Sequence, residues 1–369
     1  MKLERLQTLQ KQMGEKQAWF AFITSKENVF YLTGYRTDPH ERLIAFFVFK
    51  DSHFLVVPKM EESMVRKAGY DGDILSYSDN ENVWENIYAR IPKHEHRNLP
   101  LICVEERLVS FERIRALQAL DKQVLFTDCE GLLMEQRLQK TNEELQKLRA
   151  AAAFADRGVE LGVAALKTGV TEMEVVAAVE YGLKQQGIRE MSFQTTVLFG
   201  DHASAPHGKP GNRQLQEGEF VLFDLGVVVE GYCSDITRTV AYGNVSEQEA
   251  AIYRTVLKAQ EAALAAAKPG AVIGAVDQAA RHVITEAGYG AFFPHRLGHG
   301  LGIDVHESPS MHQDNHDRLK ERMTFTVEPG IYIPDRCGVR IEDDVVITAA
   351  GCEVMTSYPK TLDPVPVRL

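Results

Sequence analysis

Apolar residues in the first 130 positions follow two alternating patterns. Short apolar runs are typical of buried strands, and stretches with apolar residues every three or four positions are typical of one face of a helix. We predict an initial helix at residues 2–14, strands at 18–24, 73–77, 101–105 and 124–128, a hairpin of residues 43–49 and 53–57, and helices near 59–68, 82–91 and 110–120. Their alternation predicts an α/β layer domain.

The pattern changes after residue 133. Thr141 is followed three residues later by Glu144, which is a capping box and predicts the start of a long helix. A chain of 369 residues also exceeds the usual size of one domain. We therefore expect an α/β domain at residues 1–133 and a second domain at residues 134–369.

The second domain contains an internal repeat. Residues 167–188 align without gaps with residues 268–289, with Lys167 matching Lys268 and Gly169 matching Gly270. The order helix, turn, helix, strands occurs twice, so we predict two pseudo-symmetric α/β halves whose strands share one sheet and whose helices cover its outer face. A cleft between such halves suits a ligand.

Composition excludes several classes of partner. The net charge is −11 with dispersed Lys and Arg, which disfavours nucleic acid. No apolar run approaches the roughly 20 residues of a membrane span, and the first residues lack the apolar core of a signal peptide. The five cysteines form no CxxC pair, so we expect reduced thiols and a cytoplasmic protein.

Four stretches of the second domain place acidic or imidazole groups among apolar residues. They contribute four carboxylates and one imidazole: Asp224, Asp235, His299, Glu328 and Glu342. Burying four carboxylates together is costly unless positive charge lies between them, and two divalent cations would supply it. Oxygen-rich ligation with one nitrogen suits Mn²⁺, Co²⁺, Fe²⁺ or Zn²⁺, and the lack of thiolates disfavours a structural zinc site. Two such ions about 3.5–4 Å apart would activate a bridging water and polarise a carbonyl, which is a hydrolase's task.

Each of these residues also has an ordinary structural explanation. Aspartates at strand ends are usually turn or cap residues, and an isolated histidine is usually structural. Arg340 could form a plain salt bridge, although that would explain only one of the five groups. Three histidines in one glycine-rich stretch, His295, His299 and His306, are harder to explain structurally, and His207 is a further candidate.

The motifs FDLG and SDITRT (residues 223–226 and 234–239), HRLGHGLGIDVHE (295–307), FTVEPGIYIP (325–334) and VRIEDD (339–344) resemble those of the pita-bread metallopeptidases. Within that family they are most similar to Xaa-Pro dipeptidases (prolidases) and aminopeptidase P, and the similarity covers nearly the whole chain. The resemblance implies a small N-terminal α/β creatinase-like domain for specificity and dimerisation. It also implies a pseudo-twofold pita-bread catalytic domain, within an α/β (α+β) class overall.

The resemblance also implies a role for each site residue. Asp224 would bind one metal, His299 and Glu328 the other, and Asp235 and Glu342 both. Glu328 would move a proton between a metal-bridging hydroxide, which attacks the scissile carbonyl, and the leaving nitrogen. The groups near the substrate would be His207, His295 and His306, with Arg340 orienting the bridging carboxylates.

A charged loop of the first domain is also similar to part of this family. Asp38, His40, Glu41 and Arg42 resemble a loop that, in some bacterial prolidases, reaches over the active site of the other subunit, and Arg296 resembles a residue facing it. The resemblance therefore implies a homodimer. Without it, the simplest interpretation of the loop is a solvated turn.

Two positions depart from the family pattern. Ser310 stands where some prolidases have an arginine for the substrate carboxylate, which puts a strict dipeptide preference in doubt unless Arg42 or Arg296 replaces it. Arg322 stands where relatives usually have glycine. We expect a manganese-dependent prolidase, with aminopeptidase P or a metal-free, creatinase-like or peptide-binding protein of the same fold as alternatives. Methionine aminopeptidase is disfavoured because it has no need for the first domain.

Overall fold

The computed structural model describes residues 3–94 and 98–368. The chain divides into two compact units, Met1–Arg137 and Leu138–Leu369. The boundary predicted after residue 133 falls within the helix Glu130–Leu138, and the first unit continues to Arg137.

In the described part of the first unit, six strands form one sheet in the order β4-β3-β2-β1-β5-β6. The strands are β1 (Phe20–Ile23), β2 (Ala45–Phe49), β3 (His53–Pro58), β4 (Asp73–Tyr77), β5 (Leu101–Val104) and β6 (Leu125–Asp128). The helices are α1 (Leu3–Glu15), α2 (Lys26–Thr33), α3 (Glu62–Lys67), α4 (Val83–Arg90), α5 (Phe111–Gln118) and α6 (Glu130–Leu138). Strands β1, β2 and β3 are antiparallel neighbours, whereas β4, β5 and β6 join by parallel pairing.

This unit confirms the predicted α/β layers and the hairpin of β2 and β3. Residue 2 of the predicted first helix lies outside the described residues. Helices α2 and α6 were missed. Helix α2 has sequence signals at both ends, the Ser25 side chain that accepts from the Asn28 N–H and Gly34 at φ 78°. It is short and buries polar residues such as Asn28 as well as apolar ones, so no amphipathic period marks it.

The second unit contains four long helices among the described residues: α7 (Asn142–Ala165), α8 (Glu172–Gln185), α9 (Glu247–Ala266) and α10 (Ile273–Glu286). Its strands are β7 (Thr196–Phe199), β8 (Glu219–Leu225), β9 (Val228–Val229), β10 (Tyr232–Cys233), β11 (Ile236–Tyr242), β12 (Gly298–Gly300), β13 (Glu307–Met311), β14 (Thr324–Val327), β15 (Gly330–Ile333), β16 (Cys337–Arg340), β17 (Asp343–Thr348) and β18 (Gly351–Val354). Short 3-10 turns occupy Lys59–Glu61, Gly200–Ser204 and Gly290–Phe292.

The internal repeat is visible in the backbone. Gly169 and Gly270 have positive φ angles of 82° and 80° in the turns that precede α8 and α10. Their N–H groups donate to equivalent partners, the carbonyls of Leu215 at 2.9 Å and Leu319 at 2.8 Å. Each pair of helices packs over its own apolar core, and Phe220 and Ala241 of the first-half strands contribute to the core under α9 and α10.

The prediction that both halves share one sheet was wrong. The first half forms the sheet β11-β8-β7, the second forms β13-β12-β14-β17-β18, and two small ribbons pair β9 with β10 and β15 with β16. The ladder is interrupted where Ile341 and Glu342 separate β16 from β17. There the Glu342 N–H donates to the Thr237 carbonyl of the other half at 3.0 Å, so the two halves meet through local contacts.

Across the described ranges, no helix is both long enough and apolar enough to cross a bilayer.

Candidate metal centre

The first half supplies two carboxylates from the hairpin of β8 and β11. Asp224 lies opposite Thr237 in this antiparallel pair, and Asp235 directly precedes β11. The ribbon of β9 and β10 connects them, and Gly226 permits the tight return because a Cβ there would lie 1.9 Å from the Ser234 carbonyl oxygen. The two carboxylates therefore lie at the same end of neighbouring strands.

The second half supplies one imidazole and one carboxylate from adjacent strands. His299 lies in β12 and Glu328 follows β14, which pairs with β12. The strands approach closely at Gly298, where a Cβ would lie 2.0 Å from the Thr326 carbonyl oxygen. The Thr326 hydroxyl then accepts from the His299 N–H at 3.1 Å and donates to Glu328 Oε1 at 3.0 Å. This bridge connects the Glu328 carboxylate to the backbone of His299.

Glu342 completes the cluster from the break between β16 and β17. The backbone of Glu342 lies outside both strands. Ligand atoms of Asp235, His299 and Glu342 all lie within 4.8 Å of one another. His299 Nε2 is 3.7 Å from Asp235 Oδ2 and 3.3 Å from Glu328 Oε1.

Two oxygens in this cluster lack any hydrogen-bond partner within the described structure: Asp235 Oδ1 and Glu342 Oε1, both buried. Buried polar atoms are nearly always paired, since leaving one unpaired costs about 1–3 kcal/mol. A cation between these residues would satisfy both oxygens. The donor set of carboxylates and one imidazole thus fits divalent metal ions.

The electrostatics of the cluster favour the same ligand. Burial raises the pKa of Asp235 and of Glu342 well above the ordinary values, and neighbouring carboxylates raise both further. Burial also raises the pKa of Glu328 to about 7 and lowers the pKa of His299 to about 3. Negative charge is therefore disfavoured at the cluster unless a positive ion compensates it.

The cluster lies at a cavity of about 800 Å³ whose lining residues all belong to the second unit. The lining combines apolar groups, four members of the cluster and the other residues of this unit that the sequence predicted for the site. It consists of Phe193, Ala205, Pro206, His207, Asp224, Asp235, Pro294, His295, Arg296, His299, His306, Glu328, Tyr332 and Arg340. His306 packs on His299 with ring centroids 4.1 Å apart. His207 is exposed. The cavity is large enough for a small peptide.

Comparison with known proteins accounts for both units. Residues 146–349 match the model of metallopeptidase family M24, and residues 5–139 match the creatinase/prolidase N-terminal domain. The chain belongs to metallopeptidase family M24. It is 49% identical over 361 residues to the "Putative dipeptidase YkvY" of Bacillus subtilis, covering 98% of this chain and 99% of that protein.

Solved structures agree with this assignment. A prolidase from Pyrococcus horikoshii has a TM-score of 0.90 and 30% identity, with 98% of this chain and 100% of that chain covered. A Xaa-Pro dipeptidase from Bacillus anthracis has a TM-score of 0.89 and 30% identity, with 98% and 99% covered. The expected fold, a creatinase-like N-terminal domain followed by a pita-bread domain, is confirmed, and the chain is a peptidase.

Arg340 of this M24 peptidase is buried and fully engaged. It forms an ion pair with Asp224, its Nε donates to the Thr237 hydroxyl at 2.9 Å, and its Nη1 donates to the Tyr332 hydroxyl at 3.0 Å. The Thr237 hydroxyl in turn donates to Glu342. Arg340 therefore joins two of the clustered carboxylates, and the salt bridge considered from the sequence is part of this network.

Tyr332 is a cavity residue of the peptidase that the sequence analysis missed. Its hydroxyl donates to His295 Nε2 at 2.9 Å, because His295 Nδ1 donates to the Arg296 carbonyl at 2.8 Å and leaves Nε2 as an acceptor. Burial lowers the pKa of His295 to about 4, so this histidine is neutral. A tyrosine in a short apolar strand carries no signal of such a role.

The two departures from the family pattern have structural correlates. The Arg296 guanidinium donates to the Ser310 hydroxyl at 2.8 Å. The positive charge of Arg296, which lines the cavity, therefore lies beside this serine. Arg322 has a φ of 66°, in the left-handed region that favours glycine. Glycine would adopt this angle without the steric cost that a Cβ brings.

The charged loop belongs to the first unit of the peptidase. Arg42 forms two hydrogen bonds with the carboxylate of Asp79, both at 3.0 Å. Asp38 accepts from the backbone N–H of His40, a residue with a φ of 50°. These contacts fix the loop locally.

Proposed function

We propose that this M24 peptidase hydrolyses Xaa-Pro dipeptides with two divalent metal ions, most suitably Mn²⁺. One observation carries the proposal: the unpaired buried oxygens of Asp235 and Glu342 lie beside His299 at a cavity of peptide size. The prolidase and Xaa-Pro dipeptidase names of the similar structures support the substrate class.

The metal ligands in this proposal are the five groups predicted from the sequence: Asp224, Asp235, His299, Glu328 and Glu342. Bound divalent ions would lower the pKa of a coordinated water and polarise a carbonyl oxygen. Arg340 and Thr237 hold Asp224 and Glu342 in place through the hydrogen bonds described above, which is the usual task of groups behind a ligand.

Glu328 would move the proton. Its carboxyl lines the cavity with Oε1 3.3 Å from His299 Nε2, so it is placed to pass a proton between a water and the substrate. It would take the proton that water loses as the water oxygen attacks the scissile carbonyl carbon. It would then give that proton to the proline nitrogen as the carbon–nitrogen bond breaks.

The remaining cavity residues would bind the peptide. His207 and His306 would donate hydrogen bonds to it near the scissile carbonyl, and the His295 ring, held by Tyr332, would form a wall for proline. Arg296 would bind the substrate carboxylate. Its hydrogen-bond partner Ser310 is neutral, so this contact does not compensate the positive charge of the guanidinium. An anion anchor at this place favours dipeptides over longer peptides.

We also propose that the first unit contributes specificity and dimerisation. Asp38, His40 and Arg42 would act on the substrate of the other subunit in a homodimer, with Arg296 facing them. The free state of all five cysteines in the structure supports a reducing compartment such as the cytoplasm.

The test is hydrolysis by purified protein with Mn²⁺ or Co²⁺ of Leu-Pro, Leu-Pro-Gly and Leu-Gly. We expect turnover of Leu-Pro, little of Leu-Gly, and none by Asp235→Ala. Preference for Leu-Pro-Gly would instead assign aminopeptidase P activity. Turnover of none of these peptides, with no metal retained, would favour the metal-free alternative and contradict the proposal.

A further inference from the structure

A fully buried ion pair lies outside the cluster described above and involves the residue that follows His306 of the cavity lining. Lys140 Nζ is 2.7 Å from Glu307 Oε1, and the two side chains are only 2% and 1% exposed. Such a pair is costly to desolvate, and apolar residues of the same shape are often as stabilising or more so. Stability alone is therefore a weak reason for this pair.

Glu307 holds the segment that carries His306. It begins β13 directly after His306, and its Oε2 accepts from the Asp304 N–H at 3.4 Å. Gly302 lies directly on the carboxylate, since a Cβ there would lie 2.4 Å from Glu307 Oε1. The chain from Gly302 to His306 therefore wraps around one carboxylate.

Lys140 is itself attached to rigid structure. Its N–H donates to the Arg322 carbonyl at 2.9 Å, and the Arg322 N–H donates to the Ile347 carbonyl at 2.7 Å. The next residue, Thr141, caps α7 with a complete capping box. The ammonium group thus comes from a backbone fixed both to the sheet and to the start of a long helix.

We propose that Lys140 is a positioning residue that acts through Glu307 to hold the His306 imidazole against His299 at the cavity. This inference rests on the proposed peptidase function, in which His306 contacts the substrate. Without the ammonium group, the buried carboxylate would lose its charged partner. Removing one member of a buried ion pair is strongly destabilising, so the carboxylate would turn toward water. The segment around it would then shift, and His306 would leave its place.

The experiment compares Lys140→Met, Glu307→Met and the double variant on Xaa-Pro turnover and thermal midpoint, with Mn²⁺ bound. Methionine is unbranched and uncharged, matches the length of the Glu307 side chain and is one atom shorter than lysine. We expect Lys140→Met to lower kcat about 10- to 100-fold, with KM changed less, since displacements of about 1 Å have effects of that size. The double variant removes both charges, so we expect it to recover the thermal midpoint but not kcat.

His306→Ala provides the second measurement. If Lys140 acts through His306, then Lys140→Met will lower kcat much less in the His306→Ala background than in the native chain. Val159→Ala is the stability control. Val159 is a fully buried residue of α7 in the apolar core under α7 and α8, so its truncation should lower the thermal midpoint without lowering kcat.

Three results would overturn the inference: recovery of kcat together with stability in the double variant, an undiminished effect of Lys140→Met without His306, or an unchanged kcat. A native protein that cleaves no Xaa-Pro peptide would instead refute the proposed function, so the two failures are distinguishable.

Discussion

The carboxylate cluster predicts a specific dependence of metal affinity on pH. The perturbation is removal of metal with a chelator, followed by titration with Mn²⁺ near pH 6 and near pH 8. Burial raises the pKa of Glu328 from 4.5 to about 7, so the metal-free protein holds a proton on this carboxyl near pH 6 and has lost it near pH 8. Metal ligands must be deprotonated, so this proton competes with the metal.

The magnitude follows from the ionised fraction. With a pKa of about 7, that fraction rises from about one tenth near pH 6 to about nine tenths near pH 8, which is about tenfold in affinity or 1.4 kcal/mol. Asp235 and Glu342 also have raised pKa values, so they act in the same direction and make tenfold a lower bound. His299, with its pKa lowered to about 3, is neutral throughout this range and contributes nothing.

The same raised pKa also makes the stability of the metal-free fold depend on pH. A carboxyl whose pKa is raised in the folded state stabilises the metal-free fold at low pH, and this contribution is lost as the pH rises through about 7. The metal-free protein should therefore lose stability toward pH 8, while the metal-bound protein keeps its carboxylates ionised and compensated. The gap between their thermal midpoints should widen by about 2–4 °C for each 1 kcal/mol.

The assay is calorimetric titration with Mn²⁺ at both pH values, in buffers of different ionisation enthalpy so that released protons are counted. Glu328→Gln is the control, because it removes one titrating group and should reduce the number of released protons near pH 6 by about one. An affinity that does not change between these pH values, or equal proton release by the variant, would refute the reasoning.

Three further substitutions test individual contacts. Arg322→Gly relieves a φ of 66°, and we expect about 0.5–1 kcal/mol of added stability in thermal unfolding, with Arg322→Ala giving no such gain. Gly298→Ala places a Cβ 2.0 Å from the Thr326 carbonyl oxygen, so we expect the free energy of unfolding to fall by about 1–3 kcal/mol and metal retention to weaken. An unchanged thermal midpoint would contradict the close approach of β12 and β14. Thr237→Val removes the hydroxyl between Arg340 and Glu342, and competition with a chelator should show metal affinity lowered about 10- to 100-fold, with Thr237→Ser largely retaining it.

The sequence by itself determined the local structure of this protein. Apolar periodicity identified most strands and helices of the first unit, and the capping box at Thr141 located the start of α7, because these signals act within a few residues. The repeat was also readable, since Gly169 and Gly270 must adopt the same positive φ in both halves. The five clustered groups were selected by residue type within conspicuous motifs, and the structure brings them together.

Only the tertiary structure decided how distant segments meet. The separation of the two halves into different sheets depends on pairing between strands far apart in sequence, which local patterns do not specify. The roles of Tyr332 and Lys140 arise from contacts made by ordinary residue types, and nothing in the neighbouring sequence distinguishes them. Short-range preferences therefore fix the elements, whereas the partner of each buried polar group is set by packing, since that partner can come from anywhere in the chain.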